Sequence, residues 1–455
     1  MINPQIFREY DIRGVVEKDL TEEVVKTLGK AYGTYLRQQN KKSLTVGRDN
    51  RLSSERFRNA LVEGLLSTGC SVIDLGVCPT PALYFSLYHL NPDAGMMITA
   101  SHNPPQFNGF KLCDGKESLY GEKIQNIRKI AEQGEFIQGK GGTVSTCQII
   151  EPYMATIREN VHLKRGLKVV VDAGNGTASP IVPDLFRKLG CKVEALFCEM
   201  DGNFPNHFPD PTVPENLTSL IQRVKESSAD VGLAYDGDSD RIGVVDNQGG
   251  IIWGDQLMVI FARDILSRNP GASIIFEVKC SQNLEQDIVK HGGRPIMWKT
   301  GHSLIKKKMK EENALLAGEM SGHIFFADGY FGYDDAIFAS CRLVEILSES
   351  SQTISEMISD LPKTYSTPEI RVDCADEEKF HIIEVLKEHF QKKYRLVDID
   401  GIRILFDHGW ALIRASNTQP ALVLRFESIS REGLEEIQNL VMAKLQENPV
   451  VSCRF

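Results

Sequence analysis

The sequence lacks the features that place a chain in a membrane or on nucleic acid. No uninterrupted apolar run approaches the roughly 20 residues that a helix needs to cross a bilayer. The opening residues MINPQIFREYDIRG contain neither the basic nor the apolar segment of a secretion signal. A basic excess is also missing, because the formal net charge is −9 and a general nucleic-acid binder needs a positive face. We therefore expect a cytoplasmic protein without membrane or nucleic-acid partners.

Cysteines with metal-site or redox spacing are absent as well. The 10 cysteines are scattered along the chain, and none forms a CxxC motif. This distribution is typical of reduced, structural thiols in a cytoplasmic protein. The chain does have an ordinary globular composition, with 42% hydrophobic and 25% charged residues. Its 455 residues exceed a single core and predict three or four domains.

One βαβ pattern recurs three times, over residues 43–76, 167–197 and 272–298. Each copy has a β-branched run, a polar loop, an amphipathic helix, a glycine and a second strand. The repeat predicts three related α/β domains with mixed sheets. Functional loops of such units lie at the carboxyl ends of their strands. In this chain these loops are residues 47–51, 172–176 and 277–281.

The pattern changes near residue 367. Apolar and polar residues alternate around Asp407-His408-Gly409, which predicts a hairpin. Residues 421–428 predict another strand and residues 431–446 an amphipathic helix. We expect a C-terminal α+β domain with an antiparallel sheet, and four domains around a central cleft. We place the domains at residues 1–150, 151–252, 253–366 and 367–455.

The segment TASHNPPQFNGFKL, residues 99–112, follows an apolar strand and carries Ser101. Pro104 and Pro105 exclude a helix, and the first of them pushes Asn103 toward extended geometry. We expect Ser101 on a stiff loop. Alone, the segment is more typical of a surface turn than of a functional loop.

The segment YDGDSDRIGVVD, residues 235–246, predicts a metal site. Asp236, Asp238 and Asp240 alternate, and carboxylate oxygens are the ligands that Mg²⁺ and Ca²⁺ prefer. An EF-hand is excluded, because Arg241 stands where glycine is required and Asn247 where glutamate is expected. We favour Mg²⁺, which suits phosphate chemistry.

Two further loops predict a ligand that is both sugar and phosphate. GEMSGH, residues 318–323, offers a carboxylate, a hydroxyl and an imidazole from Glu319, Ser321 and His323, which suits a polyhydroxylated ligand. RASNTQP, residues 414–420, offers a guanidinium, two hydroxyls and an amide from Arg414, Ser416, Asn417 and Thr418, which suits a phosphate. Alone, GEMSGH is almost equally typical of an ordinary turn into a strand, and RASNTQP alone is interpreted as a turn between two strands. The four loops fall in four successive domains, so a sugar phosphate at a shared cleft would use all of them.

The chain resembles the α-D-phosphohexomutase superfamily, most closely its bacterial phosphomannomutase/phosphoglucomutase branch. The resemblance covers essentially the whole chain, in the family's order. Its motifs are FREYDIRG at 7–14, residues 99–112, DPTVPENL at 210–217, DGDSDRIG, EVKCS, TGHSLIKKKM at 300–309, GEMSGH and RASNTQP. Ser239 stands where many members have glycine, and Ala415 where many have proline.

The resemblance implies roles for the loop residues. Ser101 would carry the phosphoryl group that is transferred, and Asp236, Asp238 and Asp240 would hold one Mg²⁺ per chain together with a phosphoserine oxygen. Glu319 and Ser321 would contact the sugar hydroxyls. The phosphate that is not transferred would be held by Arg414, Ser416, Asn417 and Thr418. Other cleft residues would contact substrate or assist proton transfer, and these are Tyr10, Arg13, His102, Lys111, Arg241, Lys279, His302 and His323.

The activity implied by the resemblance is an intramolecular phosphotransfer between hexose 1-phosphate and hexose 6-phosphate, with mannose, glucose or both as the hexose. Hexose 1,6-bisphosphate would be both intermediate and activator, and the chain would be a monomer or a small homo-oligomer. The prolines would hold Ser101 out, with Lys111 facing its phosphate. Of the catalytic residues Ser101, His102, Lys111, Arg241 and His323, Lys111 and His323 are both candidates for the general base.

Three alternatives stay open. A phosphoglucosamine mutase is the nearest of them, although those members usually carry glutamine where this chain has Met320. A Mg²⁺-dependent sugar-phosphate phosphatase would pass the phosphoryl group to water. A non-catalytic sugar-phosphate sensor would keep the binding loops but would not need Ser101 or the three aspartates.

Overall fold

The computed structural model describes residues 2–416 and 420–447. Within them the strands form four sheets, the first three mixed and the fourth antiparallel. This arrangement confirms the predicted fold class. No helix in this part of the chain is both long enough and apolar enough to cross a bilayer.

The first sheet has the strand order β1-β5-β4-β2-β3-β7, with β6 paired to β5. Its strands are β1 (Ile12–Val15), β2 (Ser43–Arg48), β3 (Ser71–Val77), β4 (Ala94–Ile98), β5 (Phe107–Asp114), β6 (Glu117–Ser118) and β7 (Val144–Thr146). Its helices are α1 (Glu22–Gln38), α2 (Ser54–Ser67), α3 (Thr80–His89) and α4 (Glu122–Gln133). Every residue of β4 is buried, as expected for a strand covered on both faces.

The second sheet has the order β12-β11-β10-β8-β9. Its strands are β8 (Lys168–Asp172), β9 (Lys192–Leu196), β10 (Val231–Tyr235), β11 (Ile242–Asp246) and β12 (Ile251–Ile252), and its helices are α5 (Ile150–Asn160), α6 (Val182–Lys188) and α7 (Thr218–Ser227). The third sheet has the order β14-β13-β15-β16. Its strands are β13 (Ser273–Glu277), β14 (Arg294–Trp298), β15 (Leu316–Gly318) and β16 (Ile324–Phe326), and its helices are α8 (Gly254–Arg268), α9 (Gln282–Lys290), α10 (His302–Glu312), α11 (Ala336–Glu349) and α12 (Ile354–Met357).

The fourth sheet has the order β17-β22-β21-β20-β19, with β18 paired to β22. Its strands are β17 (Tyr365–Ser366), β18 (Ile370–Asp373), β19 (Arg395–Val397), β20 (Ile402–Phe406), β21 (Gly409–Ala415) and β22 (Ala421–Ser428), and its helices are α13 (Lys379–Phe390) and α14 (Arg431–Gln446). The predicted hairpin forms between β20 and β21, with Phe406 paired to Gly409 across a two-residue turn.

The repeated βαβ units are present as predicted. In each, two parallel strands flank one helix: β2–α2–β3, β8–α6–β9 and β13–α9–β14. The largest hydrophobic core contains residues of all three α/β domains, from Leu75 to Ile354. A second core, from Ile6 to Ala131, lies within the first domain alone. The cores do not fix the boundaries after residues 150, 252 and 366, which stay predictions.

The fold brings the polar loops that follow several strands into one cleft. Asn50, after β2, donates through its amide to the carbonyl of Asn175 after β8, at 2.8 Å. Tyr10, just before β1, donates through its hydroxyl to the carbonyl of Thr300 after β14, also at 2.8 Å. The site is therefore assembled from segments far apart in the chain.

Candidate active site

Ser101 lies on the loop between β4 and β5, where the chain leaves the buried strand. Its φ is 52°, in the left-handed region that residues other than glycine rarely adopt. Its Oγ donates to Oδ2 of Asp236 at 2.6 Å and lies 3.1 Å from Nδ1 of His102. The residue is only 2% exposed. The expectation that the prolines hold Ser101 outward is therefore wrong, because the residue is buried against Asp236 and His102.

A buried arginine holds this loop, and sequence reasoning gave it no role. The Arg51 side chain is completely buried and pairs with Asp49 at 3.0 Å. Its guanidinium donates to four backbone carbonyls, those of Ser101 (2.7 Å), Asn103 (2.5 Å), Pro104 (2.7 Å) and Phe107 (3.2 Å). The available signal was an Asp-x-Arg pattern at the carboxyl end of a predicted strand. Arg51 fixes the backbone on which Ser101 sits.

Three buried aspartates face Ser101 from the loop after β10. Each of Asp236, Asp238 and Asp240 presents a carboxylate oxygen within 4.8 Å of the others. Nζ of Lys111, on β5, donates to Oδ2 of Asp238 at 2.8 Å and also contacts Oδ2 of Asp240. Lys111 thus faces the carboxylates rather than Ser101 itself.

The three aspartates and Lys111 shift one another's pKa values, and the directions of the shifts differ. Burial and the neighbouring carboxylates raise the pKa of Asp236. Burial opposes ionisation of Asp238 too, but the Lys111 ammonium outweighs it and holds the pKa of Asp238 low. Burial would lower the pKa of Lys111, yet the carboxylates of Asp238 and Asp240 raise it. Lys111 therefore keeps its proton at neutral pH.

The three aspartates fit a hard divalent cation. Three buried carboxylates face a single lysine in this group, so negative charge is left to be balanced. Oδ1 of Asp238 is buried and has no hydrogen-bond partner within the described residues. Such an oxygen is stabilised by a cation, and an all-oxygen set suits Mg²⁺.

His323 lies beside this group and is held from two sides. Nε of Arg241 donates to Nε2 of His323 at 2.9 Å, and Nδ1 of His323 lies 3.1 Å from Oδ2 of Asp334. The His302 ring stacks on it with a centroid distance of 5.6 Å. Burial, reinforced by Lys306, lowers the pKa of His302.

Asp334 was also missed from the sequence, for an identifiable reason. The Asp334-Asp335 pair before an apolar helix is typical of an N-cap, and Asp335 indeed caps α11 by accepting from the backbone N of Phe338 at 2.8 Å. Its neighbour Asp334 turns instead toward the two histidines and accepts from Nζ of Lys306 at 2.9 Å.

In the GEMSGH loop, two hydrogen bonds fix the orientation of the Glu319 carboxylate. Oε1 accepts from the backbone N of Gly301 at 3.0 Å, and Oε2 accepts from Oγ of Ser321 at 3.0 Å. Gly301 has a φ of 129°, and a Cβ there would lie 2.5 Å from the Tyr10 ring. A glycine is required at this contact between the first and third domains.

Glu277, at the end of β13, is a third residue that sequence reasoning missed. Its buried carboxylate accepts from Oγ1 of Thr300 at 2.5 Å and from the backbone N of Met320 at 2.8 Å. It also lies 3.5 Å from Nζ of Lys279. Glu277 thereby ties together the three polar loops of the third domain.

The positive end of the cleft contains Lys279 and Arg414. Nζ of Lys279 lies 3.3 Å from Glu369, and Nε of Arg414 donates to Oδ2 of Asp400 at 2.9 Å. Burial alone would lower the pKa of Lys279. The carboxylates of Glu277 and Glu369 outweigh the effect of burial, so the pKa is raised. Ser416 is buried just beyond Arg414. Asn417 and Thr418 lie outside the described residues.

Arg13 and His102 complete the Ser101 end. Arg13 donates to Oδ1 of Asn103 at 3.0 Å and pairs with Asp11. Burial lowers the pKa of His102, and the positive charges of Arg241 and Arg13 reinforce this shift. The predicted residues among those described thus form a serine–carboxylate end and a positively charged end of the cleft.

Comparison with known proteins identifies the family. Four models of phosphoglucomutase/phosphomannomutase domains match the chain in order: domain I over residues 4–138, domain II over 151–250, domain III over 253–365 and the C-terminal domain over 369–444. The chain belongs to the phosphoglucomutase/phosphomannomutase family.

Individual members of this family are similar over nearly their full length. The chain is 49% identical to a phosphomannomutase/phosphoglucomutase of Pseudomonas aeruginosa, covering 97% of this chain and 95% of that protein. It is 44% identical to a phosphoglucomutase of Neisseria gonorrhoeae, covering 98% of each. A crystal structure of a phosphoglucomutase/phosphomannomutase family protein from Burkholderia thailandensis covers 100% of both chains with a TM-score of 0.94 and 41% identity.

Proposed function

We propose that this chain is a phosphohexomutase that interconverts hexose 1-phosphate and hexose 6-phosphate, with mannose, glucose or both as the hexose. The observation that carries the proposal is the placement of the Ser101 hydroxyl. It donates to Asp236 at 2.6 Å, inside a buried group of three aspartates and Lys111. The names of the family members above support this activity.

Asp236, Asp238 and Asp240, with an oxygen of phosphorylated Ser101, would hold one Mg²⁺. When bound, the cation would neutralise negative charge on the phosphoryl group. Lys111 and Arg241 add positive charge from the protein itself, since phosphoryl transfer asks mainly for positioning and charge stabilisation.

His323 is the better of the two candidate bases. The Lys111 ammonium already donates to the carboxylates of Asp238 and Asp240. Nε2 of His323 instead presents a lone pair, since it accepts a hydrogen bond from Arg241. A sugar hydroxyl that attacks the Ser101 phosphoryl group would give its proton to Nε2, displacing the Arg241 hydrogen bond. As the bond from the sugar oxygen to phosphorus forms, the bond from phosphorus to Oγ of Ser101 would break, and Oγ would take a proton from water. In the return transfer the Ser101 hydroxyl would give up that proton as Oγ takes a phosphoryl group from the bisphosphate, and the departing sugar oxygen would recover the proton held by Nε2.

The other end of the cleft would hold the part of the sugar that does not react. Glu319 and Ser321 would contact the hydroxyls. Lys279, Arg414 and Ser416, together with Asn417 and Thr418, would hold the second phosphate. Hexose 1,6-bisphosphate would turn over within the cleft, so the same residues would accept either phosphate in successive half-reactions.

A coupled assay tests this function. Wild-type protein with Mg²⁺ and a trace of glucose 1,6-bisphosphate should convert α-glucose 1-phosphate to glucose 6-phosphate, with mannose 1-phosphate as the second substrate. Inorganic phosphate is measured in parallel. Release of phosphate without isomer would favour a phosphatase, and turnover only of glucosamine phosphates would favour the aminosugar mutase.

Asp238→Asn should abolish turnover while the protein stays folded. Loss of one carboxylate charge weakens the Mg²⁺ site and removes a partner of Lys111, so we expect kcat to fall by roughly 100-fold or more. The measurement is turnover over a Mg²⁺ titration, with Tm recorded alongside. Asp407→Asn, in the exposed hairpin turn, is the control. Wild-type turnover at limiting Mg²⁺ would contradict the metal assignment.

Arg414→Ala should raise KM for hexose phosphates by roughly 10- to 100-fold, the loss expected from a charged hydrogen bond to phosphate. The effect on kcat should be smaller, because Arg414 holds the phosphate that is not transferred. Steady-state kinetics measure the split, with Arg395→Ala, exposed on β19 of the same domain, as control. An unchanged KM would remove Arg414 from phosphate binding.

A further inference from the structure

The loop that carries Lys279 follows β13 of the third domain, but its hydrogen bonds reach into the C-terminal domain. The carbonyls of Val278 and Cys280, on either side of Lys279, both accept from Arg403 of β20. Nη1 of Arg403 donates to them at 2.7 Å and 2.8 Å respectively. The Lys279 ammonium itself lies 3.3 Å from Glu369, also in the C-terminal domain.

Glu427, a buried residue of β22, holds the end of the same loop. Its Oε1 accepts from Oγ of Ser281 at 2.9 Å, from the backbone N of Gln282 at 3.2 Å and from Nε1 of Trp410 at 2.8 Å. The carboxylate thus lies at the N-terminus of α9, where a negative charge is favourable. Each of the five consecutive residues 278–282, the Lys279 loop, therefore contacts the C-terminal domain.

Arg403 is a buried charge whose hydrogen bonds go to this loop. Its guanidinium lies 3.7 Å from the centre of the Trp410 ring. Burial lowers the pKa of Arg403 to about 10, and the Glu427 carboxylate only partly offsets this effect. A well-packed apolar side chain often stabilises a fold as well as a buried charge does. The hydrogen bonds to the Lys279 loop are what an apolar residue could not provide.

Lys279 and Arg414 belong to different domains and both carry a positive charge. The Arg414 guanidinium lies near enough to oppose the rise in the pKa of Lys279 that Glu277 and Glu369 cause against the effect of burial. Two neighbouring cations repel each other until an anion binds between them. Hydrogen bonds that join the Lys279 loop to the domain of Arg414 keep the two cations together against this repulsion.

We propose that Arg403 and Glu427 are positioning residues, which hold the Lys279 loop on the C-terminal domain so that Lys279 and Arg414 receive the substrate phosphate as one unit. A pair of cations that is already in place loses less freedom when the phosphate binds, so the affinity is higher. This inference rests on the proposed function, because it takes the ligand to be a hexose phosphate.

Arg403→Met tests the role, since methionine keeps the contact with Trp410 but donates no hydrogen bond. KM for α-glucose 1-phosphate should rise roughly tenfold, the scale of a lost hydrogen bond to a charged group. The value of kcat should change much less, because Lys279 and Arg414 hold the phosphate that is not transferred. Arg395→Met, at an exposed arginine of the neighbouring strand β19, is the control and should keep the wild-type KM.

Glu427→Gln is a second, milder variant, which decides the question if Arg403→Met does not fold. Glutamine keeps an acceptor oxygen but loses the charge, and hydrogen bonds to an uncharged acceptor are about half as strong, so KM should rise by a smaller factor of roughly three. Thermal unfolding of both variants establishes that the folded protein is compared.

A double variant separates positioning from a general loss of stability. In Lys279→Met the loop no longer carries a cation, so adding Arg403→Met should raise KM by less than about twofold more. If Arg403 acted independently of Lys279, the two effects would multiply. Isothermal titration with glucose 6-phosphate gives the same comparison as a dissociation constant and needs no turnover.

Two results would overturn the positioning role: an unchanged KM and Kd in folded Arg403→Met and Glu427→Gln, or effects of Arg403→Met and Lys279→Met that multiply. If isomerisation is found with either of these results, the proposed function stands and the positioning role fails. If the Kd values follow the expected pattern but no isomerisation is found, the positioning role stands and the proposed function fails.

Discussion

Replacing Ser101 by alanine is expected to lower hexose phosphate isomerisation by roughly four orders of magnitude or more, the scale seen when a nucleophile is removed. The hydroxyl is the only part of the residue that reacts. Turnover is lost because the serine oxygen must give up a phosphoryl group and later accept one, and alanine has no such oxygen. The coupled glucose 6-phosphate assay measures the loss, and intact-mass spectrometry should show one phosphoryl group on wild type and none on the variant.

Ser101→Gly separates chemistry from backbone strain. The φ of 52° at this position is easily adopted by glycine, so this variant should be as inactive as Ser101→Ala but at least as stable. If Ser101→Gly retained turnover, the serine hydroxyl could not be the phosphoryl carrier. Wild-type activity in either variant would contradict the proposed mechanism.

Arg51→Lys should reduce kcat by roughly 100-fold with little change in KM, because a displacement of about 1 Å at a reacting group costs that much. Lysine keeps the charge and the pairing with Asp49. It lacks the planar fork that reaches the carbonyls of Ser101, Asn103 and Pro104 together. The loop would remain in the fold, but the Ser101 hydroxyl would no longer be held toward Asp236.

The control is Arg58→Lys, at an arginine on α2 that pairs with Asp74 away from the loop. Steady-state kinetics give the separate kcat and KM values, and thermal unfolding checks that the Arg51 variant is folded. A fall in Tm with unchanged kcat in the folded fraction would show that Arg51 supports stability alone.

Features that depend only on neighbouring residues in the sequence were predictable from it. The proline pair indicated the Ser101 loop, the alternation of Asp236, Asp238 and Asp240 indicated a cluster of carboxylates, and Asp407-His408-Gly409 indicated the hairpin. In each case a few neighbouring residues determine the backbone or the chemistry.

Arg51, Glu277 and Asp334 could not be assigned, because their partners come from distant segments. Arg51 contacts Ser101 from 50 positions away, and Glu277 contacts Met320 from 43. The backbone conformation of Ser239 could not be predicted from the sequence either. Its φ of 64° explains why many family members have glycine there, but no sequence pattern reports that angle.

The division of the apolar core has an energetic consequence for motion. One core runs through the three α/β domains, while the C-terminal domain packs its own core around residues such as Ile404, Leu424 and Val441. The apolar link between the two is small, formed by Val278, Trp410 and Leu412. We therefore expect the C-terminal domain to rotate relative to the three α/β domains and to move Arg414 toward or away from Ser101, because such a rotation separates few apolar contacts.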